Sequence, residues 1–260
     1  MVAEAIGHLK LVILAPHALL HKVPWRLVLH SYGTDWDQLS FVTQFSPILD
    51  PDMPTPEVLL PSTGMALGFG IAGSGQNIIN LEDEATDFAS AFSSHGHVCL
   101  GAKSHDVVAA LKGHDIVLLS CHGERTPPDQ GGRFLFVLAN GKFPANELVE
   151  STINAPLVIL SACSSGAYEM AVGDFPIGAA PLLLVAGARF CICTRYPISA
   201  HFAKSFFPSL GRRLSLGQNV RDAFTSTMQE MEHAGYDLWR HLACVELLGR
   251  GTDRLKNLNG

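Results

Sequence analysis

Two short runs of consecutive apolar residues dominate the hydrophobic pattern of the chain. Asp115 to Ser120 reads Asp-Ile-Val-Leu-Leu-Ser, and Leu157 to Ser161 reads Leu-Val-Ile-Leu-Ser. Both are short, contain β-branched residues and do not alternate with polar residues, which is typical of strands buried on both faces of a parallel sheet. Other short apolar segments predict strands at residues 10–16, 65–71, 98–101 and 189–194.

Segments with a helical period lie between these strands. Residues 77–93 place most of their apolar side chains on one face, which predicts an amphipathic helix. A second helix is expected over 106–112, with Ser104 as its N-cap. A hairpin is expected at 133–138, closed by Asn140-Gly141. Further helices are expected at about 144–150, 175–186, 199–210 and 220–232. This alternation of strands and helices predicts a three-layer α/β/α sandwich around a central, mostly parallel sheet.

The length of 260 residues suits one domain, and we expect a single domain over residues 1–260. The stretch from Pro47 to Pro61 contains five prolines and cannot hold a long helix. We therefore expect an N-terminal subregion over residues 1–60 and a catalytic core over 61–255.

Composition and charge exclude several classes of function. With 47% hydrophobic and 16% charged residues, the chain is typical of a globular protein. A net charge of −6 argues against nucleic acid or an anionic membrane as the main partner. No apolar run approaches the roughly 20 residues of a membrane-spanning helix. The first four residues, Met-Val-Ala-Glu, do not begin a secretory leader, so we expect a cytoplasmic protein.

Each of the two predicted buried strands is followed by a residue of a type that can act in catalysis. The first is followed by His122-Gly123, and the second by Ala162-Cys163. The carboxyl ends of neighbouring parallel strands meet at one edge of a sheet, although these residues are 163 − 122 = 41 apart in sequence. An imidazole beside a thiol raises the thiolate fraction and can later protonate a leaving amine. The pattern therefore predicts a nucleophilic Cys163 with His122 as its base.

The small residues around this pair fit the same chemistry. Gly123 leaves backbone exposed beside the histidine, so the N–H groups of Gly123 and Cys163 are candidate oxyanion-hole donors. Gly166 allows a sharp turn after the nucleophile. The other five cysteines lie in apolar segments, where we expect small core residues with free thiols rather than disulfides.

These motifs resemble the CHAT family of caspase-like peptidases, which is grouped with caspases, metacaspases, gingipains and separase. The family pattern is an apolar strand ending in His-Gly and a later strand ending in Leu-Ser-Ala-Cys, as in 116–123 and 160–166. The likeness covers roughly residues 8–250. It implies a caspase-like fold, peptide-bond cleavage through a thioester, and no metal or organic cofactor. It also implies a protein substrate and a possible regulatory or activating protein.

The resemblance leaves the residue preference of the site open. The run Cys163-Ser164-Ser165-Gly166 is similar to that of separase, which cleaves after arginine. A basic P1 residue needs a carboxylate, but Ser161, a candidate substrate-binding residue, stands where metacaspases carry an acid. Asp174 is the remaining candidate acid, whereas a neutral pocket lined by Tyr196 would favour an uncharged P1 residue.

Three charged residues give further options for substrate binding. Glu124, directly after the His-Gly pair, is a candidate to orient the substrate. Arg125 and Arg195 are candidates to meet an acidic P1 residue, as an arginine does in caspases.

Two hypotheses from other functional classes remain. One is a catalytically silent, caspase-like module that regulates or scaffolds other proteins. The other is a small-molecule-binding α/β domain that uses the glycine-rich stretch at 68–75. Loss of proteolysis on mutation of Cys163, or ligand protection of the glycine-rich stretch, would discriminate among them.

Overall fold

The computed structural model describes most of the chain beyond residue 77. The described residues are 11–14, 23, 28, 40–43, 58–60, 66–70, 78–167, 169–170, 176–237, 239–249 and 255–257. The strands are β1 (Leu11–Leu14), β2 (Ser40–Thr43), β3 (Val58–Leu60), β4 (Ala66–Gly70), β5 (His97–Leu100), β6 (Ile116–Ser120), β7 (His122–Arg125), β8 (Phe134–Leu138), β9 (Gly141–Pro144), β10 (Leu157–Ser161), β11 (Glu169–Met170), β12 (Pro176–Ile177), β13 (Phe190–Thr194), β14 (Val245–Gly249) and β15 (Leu255–Asn257). The α-helices are α1 (Ile78–Ser90), α2 (Ser104–Gly113), α3 (Ala179–Ala186), α4 (Ala200–Ser215) and α5 (Val220–His233).

Within these residues, eight strands form one sheet in the order β1-β2-β14-β13-β10-β6-β4-β5. The pairs from β5 to β13 are all parallel, β14 is antiparallel to β13, and β2 and β1 run parallel to β14. The sheet is thus mostly parallel, as the apolar runs predict. The two runs form β6 and β10, which are adjacent and buried along their whole length.

Each face of the sheet is covered by helices, which gives the predicted three layers. Alternate residues of β6 show this, because Ile116 and Leu118 belong to one buried cluster and Val117 and Leu119 to the other. The first cluster lies against α1, α4 and α5 and is rich in aromatic residues such as Phe88. The second cluster lies against α2 and α3 and is mainly aliphatic.

Several boundaries differ from the sequence expectation, and the helix expected at about 144–150 is a short 3-10 helix, Ala145–Leu148. Three of the differences have a clear local reason. Helix α2 has Lys103 as its N-cap and Ser104 as its first residue, because the Lys103 N–H donates to Asp106 Oδ2 at 2.8 Å. Helix α3 begins at residue 179, since residues 176–177 form β12 and pair with β11. Helix α4 continues past residue 210 because Leu214 still packs into the core.

A separate three-stranded antiparallel sheet follows β6. The predicted hairpin is confirmed as β8 and β9, with Leu138 paired to Gly141. The sequence pattern did not predict β7, which pairs with β8 through His122 and Val137. The residues of β7 are mostly polar, so they lack the apolar pattern that identifies a buried strand. β7 is held by pairing with β8 rather than by burial.

None of the helices in the described part of the chain has the length and the apolar character that crossing a membrane requires. No group of three or more His, Cys, Asp or Glu side chains among the described residues is placed to hold a metal ion.

Candidate active site at the carboxyl end of the sheet

The strand ends that precede His122 and Cys163 lie side by side. Ser120 at the end of β6 pairs with Ser161 at the end of β10. One residue later, the Cys121 N–H donates to the Ser161 carbonyl at 3.1 Å, which extends the ladder past the strand. His122 and Cys163 follow two residues after the paired serines, and both are partly exposed. The structure therefore brings the two predicted residues to the same edge of the sheet.

The His122 side of the site is shaped by the close approach of Gly123 to its surroundings. A Cβ atom placed on Gly123 would lie 2.5 Å from the ring of Phe134 and 2.6 Å from the carbonyl oxygen of Cys163. Carbon atoms do not approach so closely without a shift of the neighbours. Glycine is therefore required for the segment after His122 to pack against the backbone of Cys163.

The Cys163 side is a tight turn that contains the cysteine itself. Ser164 has a φ of 59°, which lies in the left-handed region that non-glycine residues rarely adopt. The Ser165 N–H closes the turn by donating to the Ala162 carbonyl at 3.0 Å. The strained backbone at Ser164 reverses the chain and leaves Cys163 at the tip of β10.

Buried hydroxyl groups fasten this turn to the neighbouring strand β13. Ser165 is fully buried, and its Oγ accepts the Thr194 N–H at 3.1 Å while donating to the Leu160 carbonyl at 3.2 Å. The Thr194 hydroxyl donates to the Ala162 carbonyl at 2.5 Å, and the Gly166 N–H donates to the Thr194 carbonyl at 2.8 Å. The turn is thus fixed on both sides of Cys163.

The strand that carries His122 (the histidine arm) and the turn that carries Cys163 (the cysteine turn) are also joined directly. The Arg125 guanidinium, at the end of β7, donates to the carbonyl of Ala167, which follows the cysteine turn. The arm that carries His122 and the turn that carries Cys163 therefore meet at Gly123 and again at Arg125.

All six cysteines of the chain are described, and all are free thiols. Burial raises the pKa of the Cys121 thiol well above its usual range, and the nearby Glu84 and Cys163 groups raise it further. A hydrogen bond with Cys191 and burial also raise the pKa of Cys193. Of the thiols at this edge of the sheet, Cys163 is the partly exposed one. Its backbone N–H donates to no other group in the part of the chain that the structure describes.

The comparison with family models decides the identity. The model of the CHAT domain family matches residues 2–241, which is most of the chain. The chain belongs to the CHAT family. This confirms the resemblance drawn from the His-Gly and Leu-Ser-Ala-Cys motifs. No curated protein matches the sequence.

Solved structures share the fold of this CHAT chain at low sequence identity. A chain of the Saccharomyces cerevisiae separase–securin complex superposes with a TM-score of 0.56 and 13% identity, over 88% of this chain and 14% of that one. The Arg-specific cysteine proteinase gingipain R gives a TM-score of 0.56 and 13% identity, over 82% and 54%. The complex of Porphyromonas gingivalis RgpB pro- and mature domains gives 0.65 and 15%, over 95% and 68%. The CHAT chain thus spans a small part of separase and about half of gingipain R, and its fold is caspase-like.

The other predicted site residues occupy different surroundings. Glu124 is exposed and forms a 2.5 Å ion pair with Lys142 of β9. Tyr196 is 45% exposed and follows Thr194 by two residues, so it lies near the cysteine turn. Asp174 lies outside the described residues. Contact of these residues with a substrate stays a prediction.

The two arginines considered for an acidic P1 residue both make internal contacts. Arg195 is buried and forms a bidentate ion pair with Glu246 of β14, with N–O distances of 2.7–3.0 Å. Arg125 holds the Ala167 carbonyl. Their guanidinium groups stabilise the site's framework.

One ionisable residue near the site was missed by sequence reasoning. Glu84 of α1 is 1% exposed, and the hydroxyl groups of Ser161 and Ser120 face its carboxyl group. Burial raises the pKa of Glu84 to about 8, and the two hydroxyls oppose that shift in part. Its position four residues before the buried Phe88 was the available signal, since an acid there interrupts the apolar face of α1.

A cavity of about 790 Å³ lies elsewhere, between α1, α4 and α5. Its lining is mixed, and its polar residues include Asp87, Lys204, Arg212, Glu230 and Tyr236. None of the predicted site residues within the described part of the chain lines it.

Proposed function

We propose that this CHAT domain is a cysteine endopeptidase with Cys163 as nucleophile and His122 as general base and acid. One observation carries the proposal: the paired ends of β6 and β10 are followed, two residues on, by an accessible histidine and an accessible cysteine. The fold shared with separase and gingipain R is consistent with it. Turnover by this chain is the part that experiment must decide.

The proposed reaction has two halves. In the first, the Cys163 thiol gives its proton to His122, and the thiolate attacks the carbonyl carbon of the scissile peptide bond. The carbon–nitrogen bond then breaks, the leaving amine takes the proton from His122, and a thioester remains on Cys163. In the second half, water gives a proton to His122 and attacks the thioester. The carbon–sulfur bond then breaks, the carboxylic acid is released, and the Cys163 thiolate takes the proton back from His122.

The negative oxygen of each tetrahedral intermediate needs hydrogen-bond donors. The proposed donors are the N–H groups of Gly123 and Cys163. The Cys163 N–H makes no hydrogen bond to another described residue, so it is available for this purpose. Loss of one such donor typically costs about 3–4 kcal/mol of transition-state stabilisation.

The substrate of the proposed reaction is a protein segment, and a partner protein is part of the proposal. Separase occurs in a complex with securin, and mature RgpB with its pro-domain, so the fold accommodates a bound polypeptide in those proteins. Tyr196, exposed beside the cysteine turn, is the proposed contact for an uncharged side chain. Six free thiols also suit a reducing compartment such as the cytoplasm.

The decisive experiment compares Cys163→Ala with Cys99→Ala on a proteome-derived peptide library. Cys99 is a suitable control because it is also a partly exposed free thiol, but it lies on the edge strand β5. We expect cleavage by the wild type and by Cys99→Ala, and none by Cys163→Ala. Covalent labelling by an acyloxymethyl ketone should likewise require Cys163.

Two outcomes would contradict the proposal. Cleavage that persists in Cys163→Ala would assign the reaction to another group. Absence of cleavage and of labelling in the wild type, with candidate partners present, would favour a catalytically silent regulatory module.

A further inference from the structure

Arg195 lies where the cysteine turn, the proposed substrate contact and strand β14 meet. It follows β13 directly and stands between Thr194, which holds the cysteine turn, and the exposed Tyr196. Its backbone N–H donates to the Cys244 carbonyl at 2.7 Å, which extends the pairing of β13 with β14 by one residue. The position of Arg195 therefore affects the residues of the candidate site on both sides of it.

The guanidinium group of Arg195 joins two other parts of the chain. Its Nε and Nη2 donate to the Glu246 carboxylate of β14 at 2.7–3.0 Å, and its Nη1 donates to the Val23 carbonyl at 3.2 Å. Val23 precedes Arg195 by 172 residues. The guanidinium thus binds a point in the N-terminal part of the chain to the edge of the sheet that carries the site.

The burial of this ion pair indicates that it serves geometry more than stability. The side chains of Arg195 and Glu246 are 7% and 17% exposed. Two charges at this depth lose most of their hydration, and a well-packed apolar pair is often as stable. An apolar pair, however, makes no directional bonds. The planar fork of a guanidinium meets a carboxylate and a carbonyl at fixed angles, which the single nitrogen of a lysine does not reproduce.

We propose, on the basis of the peptidase function above, that Arg195 is a positioning residue for the substrate. Held by Glu246, its guanidinium seats the backbone at Val23 next to the strand end that carries Tyr196. Val23 and Tyr196 then belong to one substrate-binding surface. Because Glu246 balances the charge of Arg195, this surface favours an uncharged substrate side chain.

The proposal separates substrate binding from the chemistry of the thiol. The cysteine turn has its own bonds to Thr194, through the Ser165 hydroxyl and the Ala162 carbonyl. Loss of the Arg195 side-chain contacts leaves these bonds in place. We therefore expect weaker substrate binding and an unchanged reactivity of Cys163.

The first test concerns the link to Val23 and does not depend on peptidase activity. Hydrogen–deuterium exchange, read by mass spectrometry at the peptide that contains Val23, is compared between the wild type, Arg195→Lys and Arg213→Lys. Arg213 is the matched control, because it forms a 2.9 Å ion pair with Glu230 between α4 and α5. Arg195→Lys should speed the exchange about tenfold, as expected for loss of one hydrogen bond to a charged group, and Arg213→Lys should not.

The second test separates substrate binding from thiol chemistry. Labelling of Cys163 is followed with a peptidyl acyloxymethyl ketone that has leucine at P1, and with iodoacetamide, which has no peptide to bind. Arg195→Lys should lower the rate with the ketone about tenfold and leave the rate with iodoacetamide within about twofold of the wild type. With a cleavable peptide, the same variant should raise KM and leave kcat nearly unchanged.

A double variant, Arg195→Met with Glu246→Met, controls for a folding defect. It removes both charges together, so neither is left buried without a partner, and it also removes the bond to Val23. It should show the same fast exchange at Val23 and the same slow labelling by the ketone as Arg195→Lys.

Three results would overturn the inference. Unchanged exchange at Val23 in both variants would show that Arg195 does not hold this segment. An unchanged rate with the ketone would remove its role in substrate binding. An equal fall in the rates with the ketone and with iodoacetamide would leave Arg195 a structural role alone.

Failure of the peptidase proposal gives a different pattern. The wild type would then neither cleave peptides nor react with the ketone, which leaves Arg195 no substrate to position. Exchange at Val23 would still respond to Arg195→Lys, because that contact exists without a substrate.

Discussion

The two arms of the candidate site are held by different forces. The His122 arm is a strand, β7, whose position depends on steric packing of Gly123 against Phe134 and the Cys163 carbonyl. The Cys163 arm is a turn whose position depends on buried hydroxyl groups that bond to backbone atoms. In addition to the pairing of β7 with β8, the histidine arm is thus fixed by close packing and the cysteine turn by side-chain hydrogen bonds.

This difference determines how each arm responds to mutation. Added volume displaces a packed arm, because a dense interior has no space to absorb an extra methyl group. Loss of a hydroxyl destabilises a hydrogen-bonded turn, because its partners stay buried without a bond. The histidine arm should therefore be sensitive to size, and the cysteine turn to polarity.

The largest expected effect comes from adding volume to the histidine arm by Gly123→Ala. Because the new methyl group overlaps Phe134 and the Cys163 carbonyl, we expect a loss of about 1–3 kcal/mol in unfolding free energy. Displacement of His122 from Cys163 should lower kcat/KM by about 100-fold. Gly113→Ala is the matched control, since a Cβ there meets no atom within 4 Å. An active Gly123→Ala variant would show that the arms need not be in contact.

Next in size is Ser165→Ala in the cysteine turn. The change leaves the Thr194 N–H and the Leu160 carbonyl without this side chain as a partner, so we expect a loss of about 1–3 kcal/mol in unfolding free energy. Chemical denaturation measures it. Ser215→Ala, which removes an exposed bond to the Arg212 carbonyl, should cost much less. Equal losses in the two variants would contradict the proposed role of burial.

A smaller effect of opposite sign is expected from Ser164→Gly. Glycine accepts a φ of 59° without strain, although it is more flexible in the unfolded chain, so the net gain should be at most about 1 kcal/mol. Ser93→Gly is matched to it, because Ser93 has a φ of 55° away from the site. Similar shifts in melting temperature for both variants would assign the effect to backbone strain, and a stability loss for Ser164→Gly alone would argue against it.

The smallest effect should follow Glu124→Gln. Its ion pair with Lys142 is about half-exposed on both sides, and such pairs contribute about 0–1 kcal/mol. We expect little change in stability and less than about a threefold change in KM. A large rise in KM with unchanged stability would instead establish Glu124 as a substrate contact, and Lys142→Gln would then separate the ion pair from substrate binding.

The sequence predicted the inner part of the fold well. The runs that form β6 and β10 are apolar throughout, which is the typical pattern of neighbouring strands buried on both faces of a parallel sheet. Strand β7 was not predicted because its residues are polar, so they lack the apolar pattern of a buried strand, and its position depends on pairing with β8. The reversal of direction at β14 was also not predictable, since an apolar strand has the same pattern in either orientation.

The placement of the candidate site residues was predictable where it depends on strand ends and not where it depends on packing across layers. His122, Gly123 and Cys163 follow directly from the strands that precede them. Glu84 lies about 80 residues before Cys163 and reaches the site only because α1 packs against the sheet. The ion pair that engages Arg195 depends likewise on β14, which sequence spacing could not place beside it.

The pairing of β10 with β6 has a consequence for the timing of reactivity. His122 follows β6 and Cys163 follows β10, and the β7–β9 sheet lies between these two strands in sequence. Their encounter therefore requires a long-range contact, which forms slowly compared with local structure. A nascent chain that has emerged only as far as β9 contains the histidine without its thiol. Under the proposed mechanism, folding is therefore the step that first activates Cys163, and a ribosome-bound or truncated product lacking β10 would be inactive at this site.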